Sequence, residues 1–281
     1  MSQDPEQPLK LSRKIYRMHI ALVRRVNDTH IFASQALQVL QDAKTGNLSV
    51  SRKDGRDKRY DVPSVKKGKF AKRKPHEVKN IYSRFLDREL YENFIVSAIS
   101  QLESFMFEAL RLILVAYPHK LKINVKGLEI ERTVSLDALL GKHNLNDVLA
   151  EIIESRIISI SYANPKTYLQ FIGKLAEIDV EDKAFEDYLE IKATRDLLIH
   201  NSGISNAIYC AKSGAKARAE VGQLIPIDQG YFDHCVATIK RISGIVSRDV
   251  AKAFPEKTDD IVPRERDALA AEEQKETGQG V

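Results

Sequence analysis

The stretch Arg195–Asn201, "RDLLIHN", puts a fixed cation, a carboxylate and an imidazole within two turns of a helix. A histidine with a pKa near neutrality exchanges protons in both directions. A guanidinium presents a planar fork that matches two phosphate oxygens. If its donors strengthen as charge builds, they stabilise a transition state preferentially. Cleavage of a phosphodiester by an adjacent hydroxyl needs that hydroxyl's proton removed, the phosphorane charge held and the leaving oxygen protonated. Arg195 and His200 suit those tasks without metal ligands or a cofactor, and acid–base work of this kind typically supplies ~10²–10⁴-fold.

Helical geometry constrains how the groups can meet. At about 100° per residue, Arg195 and His200 lie roughly 140° apart, whereas Asp196 and His200 share a face. Asp196 is therefore expected to orient or tune the imidazole. Arg195 reaches the same anion only from a frayed end or from a second protomer. A two-fold pairing of motif helices gathers two Arg and two His around one phosphate, so a homodimer is expected. Asn201 and Gly203 in "NSG" are good left-handed residues for ending the helix, and Asn201 is a terminator within reach of a substrate. A helix C-terminus also favours imidazolium. The spacing alone is cheap: Arg25 and His30 in "RVNDTH" repeat it. Val26, not an acid, follows Arg25, and His30 lies among polar residues, so His30 reads as structural or surface.

The elements that must position these groups are helical. Residues 11–43 carry Ile15, Met18, Leu22, Val26, Ala33, Leu37 and Leu40 at three- and four-residue steps, with a break possible at Asn27–Asp28. Residues 81–117 hold the widest apolar face, ending before Pro118. Residues 136–162 predict two helices, the first capped by Ser135 and the second preceded by "NLND". Asn164–Pro165 opens another. Residues 181–200 form the motif helix, and a shorter helix is expected from about Ser205 to Ala219. Asp228 caps the last long one, striped by Phe232, Val236, Ile239, Ile242, Val246 and Val250. "VGQLIPID" reads as extended. The expected architecture is all-α, a helical bundle with the motif helix inside it.

Composition agrees. The chain has 281 residues, 43% hydrophobic, with nine prolines and 13 glycines, and long stretches lack both. Cys210 and Cys235 have no metal-like spacing. The first residues lack a signal-peptide core, and no apolar run approaches a membrane span, so a soluble, cytoplasmic protein is expected. Net charge is +5, but unevenly spread: residues 42–79 hold 13 Lys/Arg and 5 Asp/Glu. A basic segment beside a near-neutral body suggests a polyanion partner.

"RDLLIHNSG" on an all-α background resembles the HEPN superfamily, whose motif is Arg, a polar residue, a short spacer and His. Arg195, Asp196 and His200 match it position by position. The order of helices over roughly 85–250 is also similar, including a long helix with an internal acid, Glu103 in "SQLESF". The resemblance implies a metal-independent RNA endonuclease, a dimeric site where two motif helices meet, and a role in toxin or antiviral defence with a regulatory protein or antitoxin. It implies a supporting role for Glu103. Some members only bind RNA or nucleotides, and a helical protein-interaction scaffold is a third reading. One subgroup is silenced at a Tyr two residues past the His; Ser202 stands there, which closes that route.

The expected organisation is an N-terminal helical extension (1–43), a basic linker or loop (44–80), a HEPN-like helical domain (81–253) and a disordered tail (254–281). Within the linker Lys66, Lys67, Lys69, Lys72, Arg73 and Lys74 are the candidates to hold an RNA backbone electrostatically. Tyr60 and Phe70 could stack bases.

Overall fold

A computed structural model describes residues 10–45, 52–53, 60–63, 68–128, 144–163 and 165–255, without side chains for 42–67 and 165. The fold is all-α: long helices pack around one core, with a small antiparallel sheet between the first two.

Helix α1, Leu11–Thr45, runs unbroken through Asn27–Asp28. Its stripe is buried at Ile15, Leu22, Val26, Ala33 and Leu37. Three short strands follow, β1 (Arg52–Lys53), β2 (Tyr60–Pro63) and β3 (Phe70–Arg73), with β1 and β3 each antiparallel to β2. The segment expected as a linker thus contains ordered pairing. Aromatic and β-branched residues at Tyr60, Val62 and Phe70 suit strands, and Gly68 supplies a turn at φ +74°.

Helix α2, Pro75–Arg84, starts earlier than the apolar periodicity suggests. Pro75 fixes the first helical φ, and the Lys74 N–H donates to the Glu77 carboxylate at 2.7 Å. That bond holds the half-buried Glu77 carboxyl below its ordinary value. A π-helical turn, Phe85–Glu89, joins α2 to α3, Leu90–Ala116. Its extra residue per turn interrupts what the sequence presents as one continuous helix.

Helix α3 is central. Its fully buried Ile95, Ile99, Leu102 and Ile113 meet α1 on one side, and α8, α6, α5 and α4 elsewhere. Helix α4, Leu145–Ser161, is capped by Asn144, whose side chain accepts from the Asp147 N–H. The helix expected before it, its Ser135 cap and Asn164 lie outside the described residues. Helices α5 (Pro165–Ala176), α6 (Lys183–His200), α7 (Ala207–Ser213) and α8 (Gln229–Ala253) follow. Helix α7 is shorter than the sequence suggests. Asp182 caps α6, Asn206 caps α7 and Asp228 caps α8. Helix α8 lies against α1, α3 and α6, burying Phe232, Ile239, Ile242 and Val250.

Candidate functional site

The motif occupies the last turns of α6. His200 is its final residue and is exposed; among the described residues its ring has no hydrogen-bond or ion-pair partner. Arg195, one turn back, has a side chain 26% exposed and donates from Nη1 to Asp196 Oδ1 at 3.2 Å. Its Nε is buried without a partner. Asp196 also takes the Lys212 ammonium from α7 at 3.3 Å.

These contacts correct one expectation. The Asp196 carboxylate is engaged by Arg195 and Lys212, not by the His200 imidazole, although the two residues share a face. Lys212, one helix later, supplies the carboxylate with a charge-assisted contact. Glu103 also stands apart from the motif side chains: it pairs with Lys192 of α6. Burial holds that ammonium below the ordinary lysine value, with the Asp196 charge opposing and the Arg195 and Lys212 charges reinforcing the shift. Lys192, Arg195 and Lys212 thus form a cationic cluster threaded by Asp196 and Glu103. The two lysines carry no motif signal in the sequence.

The turn after His200 is closely held. The N–H groups of Asn201 and Gly203 both donate to the Leu197 carbonyl, at 2.8 and 3.0 Å. Asn201 ends the helix as expected, with Nδ2 donating to the Ile204 carbonyl. Its φ of −139°, however, is not left-handed. Ser202 (φ 51°) and Gly203 (φ 75°) take that conformation, because the Asn201 amide is committed to bridging the turn. The segment then pairs with residues 222–225: Ser205 N–H to Gln223 O, Gly222 N–H to Ser205 O, and Ile225 N–H to Gly203 O. Arg88, in the π-helical turn, donates to the Ile225 carbonyl at 2.8 Å and pairs with Glu92. Its Nη2 lies 2.5 Å from where a Cβ on Gly203 would sit. Glycine takes this φ without strain and leaves room for the guanidinium; an added Cβ would have to displace the end of Arg88.

Beneath the motif lies a buried polar network. Glu190, 3% exposed, accepts at Oε1 from Thr194 Oγ1 (2.7 Å), Tyr209 OH (2.8 Å) and Arg218 Nε (3.3 Å), and at Oε2 from Tyr231 OH (2.8 Å). The Arg218 guanidinium also lies over the Tyr231 ring, 3.3 Å from its centre. A buried carboxylate is tolerated because its lone pairs are met and one donor is charged. The network ties α6 to α7, α8 and the 218 loop. Burial raises the Tyr209 and Tyr231 hydroxyls and pushes the neighbouring Cys235 thiol up to about 12. Sequence reasoning misses Glu190 because a glutamate in a charged helix reads as surface.

The other candidates disperse. Lys69 is exposed just before β3, Arg73 on it and Lys74 at the start of α2; Lys72 is exposed on β3 and engaged with a neighbour. Lys66, Lys67 and the Tyr60 side chain lie outside the described residues, as does the tail beyond Pro255. Phe70 is exposed. His30 is structural, bonded to Asp233 at 2.8 Å and stacked on Phe232. Among the described residues no cluster of His, Cys, Asp or Glu is arranged to hold a metal ion, and no helix is long and apolar enough to cross a membrane.

Comparison of the chain with protein-family models, with characterised proteins and with solved structures finds no match.

Proposed function

We propose that the chain is a metal-independent RNA endonuclease of the HEPN type, working as a homodimer. The observation that carries the reading is access: the His200 ring is free and exposed at a helix end, one turn from a guanidinium with unused donors. In the proposed reaction one imidazole takes the 2′-hydroxyl proton as that oxygen attacks phosphorus. Arg195 holds the non-bridging oxygens, and a second imidazole protonates the departing 5′-oxygen. The products are a 2′,3′-cyclic phosphate and a 5′-hydroxyl. Lys212 and Lys192 add positive potential where a phosphate would enter.

Two acid–base groups on one phosphate require two motifs. The surface around His200 suits a second copy: Ile199, Ile204, Ile208, Val221 and Leu224 are all exposed large apolar side chains on the flanking segments. A role in toxin or antiviral defence, held in check by a regulatory protein, belongs to the same reading. The test is incubation with single-stranded and structured RNA in EDTA, beside Arg195→Ala and His200→Ala. Cleavage by the unaltered chain alone, leaving cyclic phosphate ends, is the expected result; equal cleavage by both variants refutes it.

A second reading, RNA binding without cleavage, has one observation in its favour. Asp196 is spent on Arg195 and Lys212, so among the described residues no carboxylate orients the imidazole. Retained RNA affinity with no cleavage at any protein concentration would select it.

A further inference from the structure

Among the described residues nothing is bonded to the His200 ring, so its place is set by the backbone that carries it. That backbone is the end of α6 and the turn 201–205. The turn is tied back to α6 through the Leu197 carbonyl and outward to residues 222–225. Ile225 anchors this pairing: it is fully buried, and its N–H donates to the Gly203 carbonyl at 2.9 Å. The Ile225 carbonyl in turn accepts from Arg88 Nη1 at 2.8 Å. The other arm, Nη2, is buried against Gly203 with no hydrogen-bond partner. One guanidinium thus touches both sides of the pairing, just beyond the imidazole.

Arg88 reaches that spot from the π-helical turn Phe85–Glu89. The turn closes with the Leu90 N–H on the Phe85 carbonyl, one residue wider than an α-turn. Leu86 fixes it to the core. Glu92 pairs with Nε, so the guanidinium is held from α3 while Nη1 and Nη2 meet residues 225 and 203. A buried donor left without an acceptor is costly. A lysine ammonium could take the Ile225 carbonyl with no second arm to bury. What the second arm adds is a flat, rigid surface against the Gly203 backbone. The side chain is also turned away from any incoming substrate: Nη1 and Nε are bonded and Nη2 is buried.

We infer that Arg88 is a positioning residue for His200: it clamps residues 201–205 and 222–225 to the π-helical turn and so fixes where the imidazole stands. The path is continuous. It runs from Arg88 to the Ile225 carbonyl, from the Ile225 N–H to Gly203, and from the Gly203 N–H to Leu197 in the last turn of α6. Misplacing a reacting group by an ångström costs up to about 10²-fold in rate, so a clamp of this kind bears on turnover rather than on substrate binding. The inference rests on the proposed cleavage only for what the imidazole then does; the placement itself is independent of it.

The test uses the full chain. Arg88→Met keeps the reach of the side chain and removes its donors; Arg88→Lys keeps the charge and one arm. Arg84→Met breaks an exposed ion pair with Glu89 in the same turn and serves as the control. In Arg88→Met the amides of Gly203 and Ile225 should exchange about tenfold faster or more, while those of Ile239 and Ile242 in α8 keep their rates. NMR of histidine-labelled protein follows the seven imidazoles, and His200→Ala assigns the signal of interest. That signal should move toward free histidine in Arg88→Met, whereas those of His19, on Ser243, and His30, on Asp233, stay in place. On RNA, Arg88→Met should lower kcat about tenfold or more with KM within about twofold, and Arg88→Lys should recover part of the loss. Arg84→Met should match the unaltered chain in every measurement. If circular dichroism shows Arg88→Met unfolded, Arg88→Lys carries the same comparisons. Unchanged exchange at Gly203 and Ile225, an unmoved His200 signal, or shifts spread over all the histidines overturns the inference. So does undiminished cleavage by a variant whose His200 signal has moved. A moved signal in a chain that never cleaves RNA, altered or not, leaves the clamp standing and refutes the nuclease reading alone.

Discussion

Replacing Glu190 by alanine should be among the most damaging single changes in the chain. The substitution removes an acceptor shared by Thr194, Tyr209, Tyr231 and Arg218. Two consequences need separating. Each buried hydroxyl left without a partner costs on the order of 1–3 kcal/mol. Removing one member of a buried ion pair costs about 3–5 kcal/mol when the remaining charge is sealed in. Arg218 is not sealed: its side chain is 23% exposed and it keeps the Pro226 carbonyl. Tyr209 keeps the Arg218 N–H at 3.0 Å. The charge penalty is therefore only partly felt, and a total of roughly 3–5 kcal/mol is expected. At about 2–4 °C per kcal/mol for a chain of this size, Tm falls by something near 10 °C. Glu190→Gln keeps an acceptor and should cost about half as much. Urea denaturation followed by circular dichroism reads both, and hydrogen exchange should show the amides of 201–205 opening before those of α3. A Glu190→Ala midpoint matching the unaltered protein would refute the account of this network.

Gly203→Ala forces a side chain into a left-handed turn and onto Arg88 Nη2. It should destabilise by more than about 1 kcal/mol in thermal unfolding and lower any cleavage activity by displacing His200. A smaller effect in Arg88→Ala/Gly203→Ala than the sum of the singles would show the two to be coupled. His19, bonded to Ser243 at 3.0 Å, is held below its ordinary pKa by burial. The folded state thus binds the proton less readily than the unfolded one, so stability should fall as pH drops below about 6.5. In His19→Asn the pH profile of Tm should be flatter across that window. Cys235, with its thiol pushed up to about 12 by burial, should resist alkylation at pH 8 until urea unfolds the chain, whereas the half-buried Cys210 reacts first.

Helical periodicity is legible wherever one face is apolar and the other is not. The stripes of α1, α3 and α8 read correctly because their buried positions recur at three and four. The cap at Asp228 reads correctly because a short polar side chain before an apolar run has few other uses. The motif helix is harder. Its inward face carries Glu190 and Thr194, which only tertiary partners from α7, α8 and the 218 loop make acceptable. The π-helical turn leaves no trace, since one inserted residue looks like noise in a long apolar pattern. At the site, spacing picks out Arg195, Asp196 and His200. It does not give their actual pairings, because Lys192 and Lys212 join them from positions that no local pattern links.

The first helix has a bearing on how the protein can be handled. Ile15, Val26, Ala33 and Leu37 are sealed against α3 and α8, the same two helices that enclose the centre of the molecule. Clipping the chain at residue 80, the boundary expected from the sequence, would strip a wall from that interior and leave a sticky, poorly soluble remnant. A fragment cut there would thus report on damage; the shortest usable piece begins before Leu11.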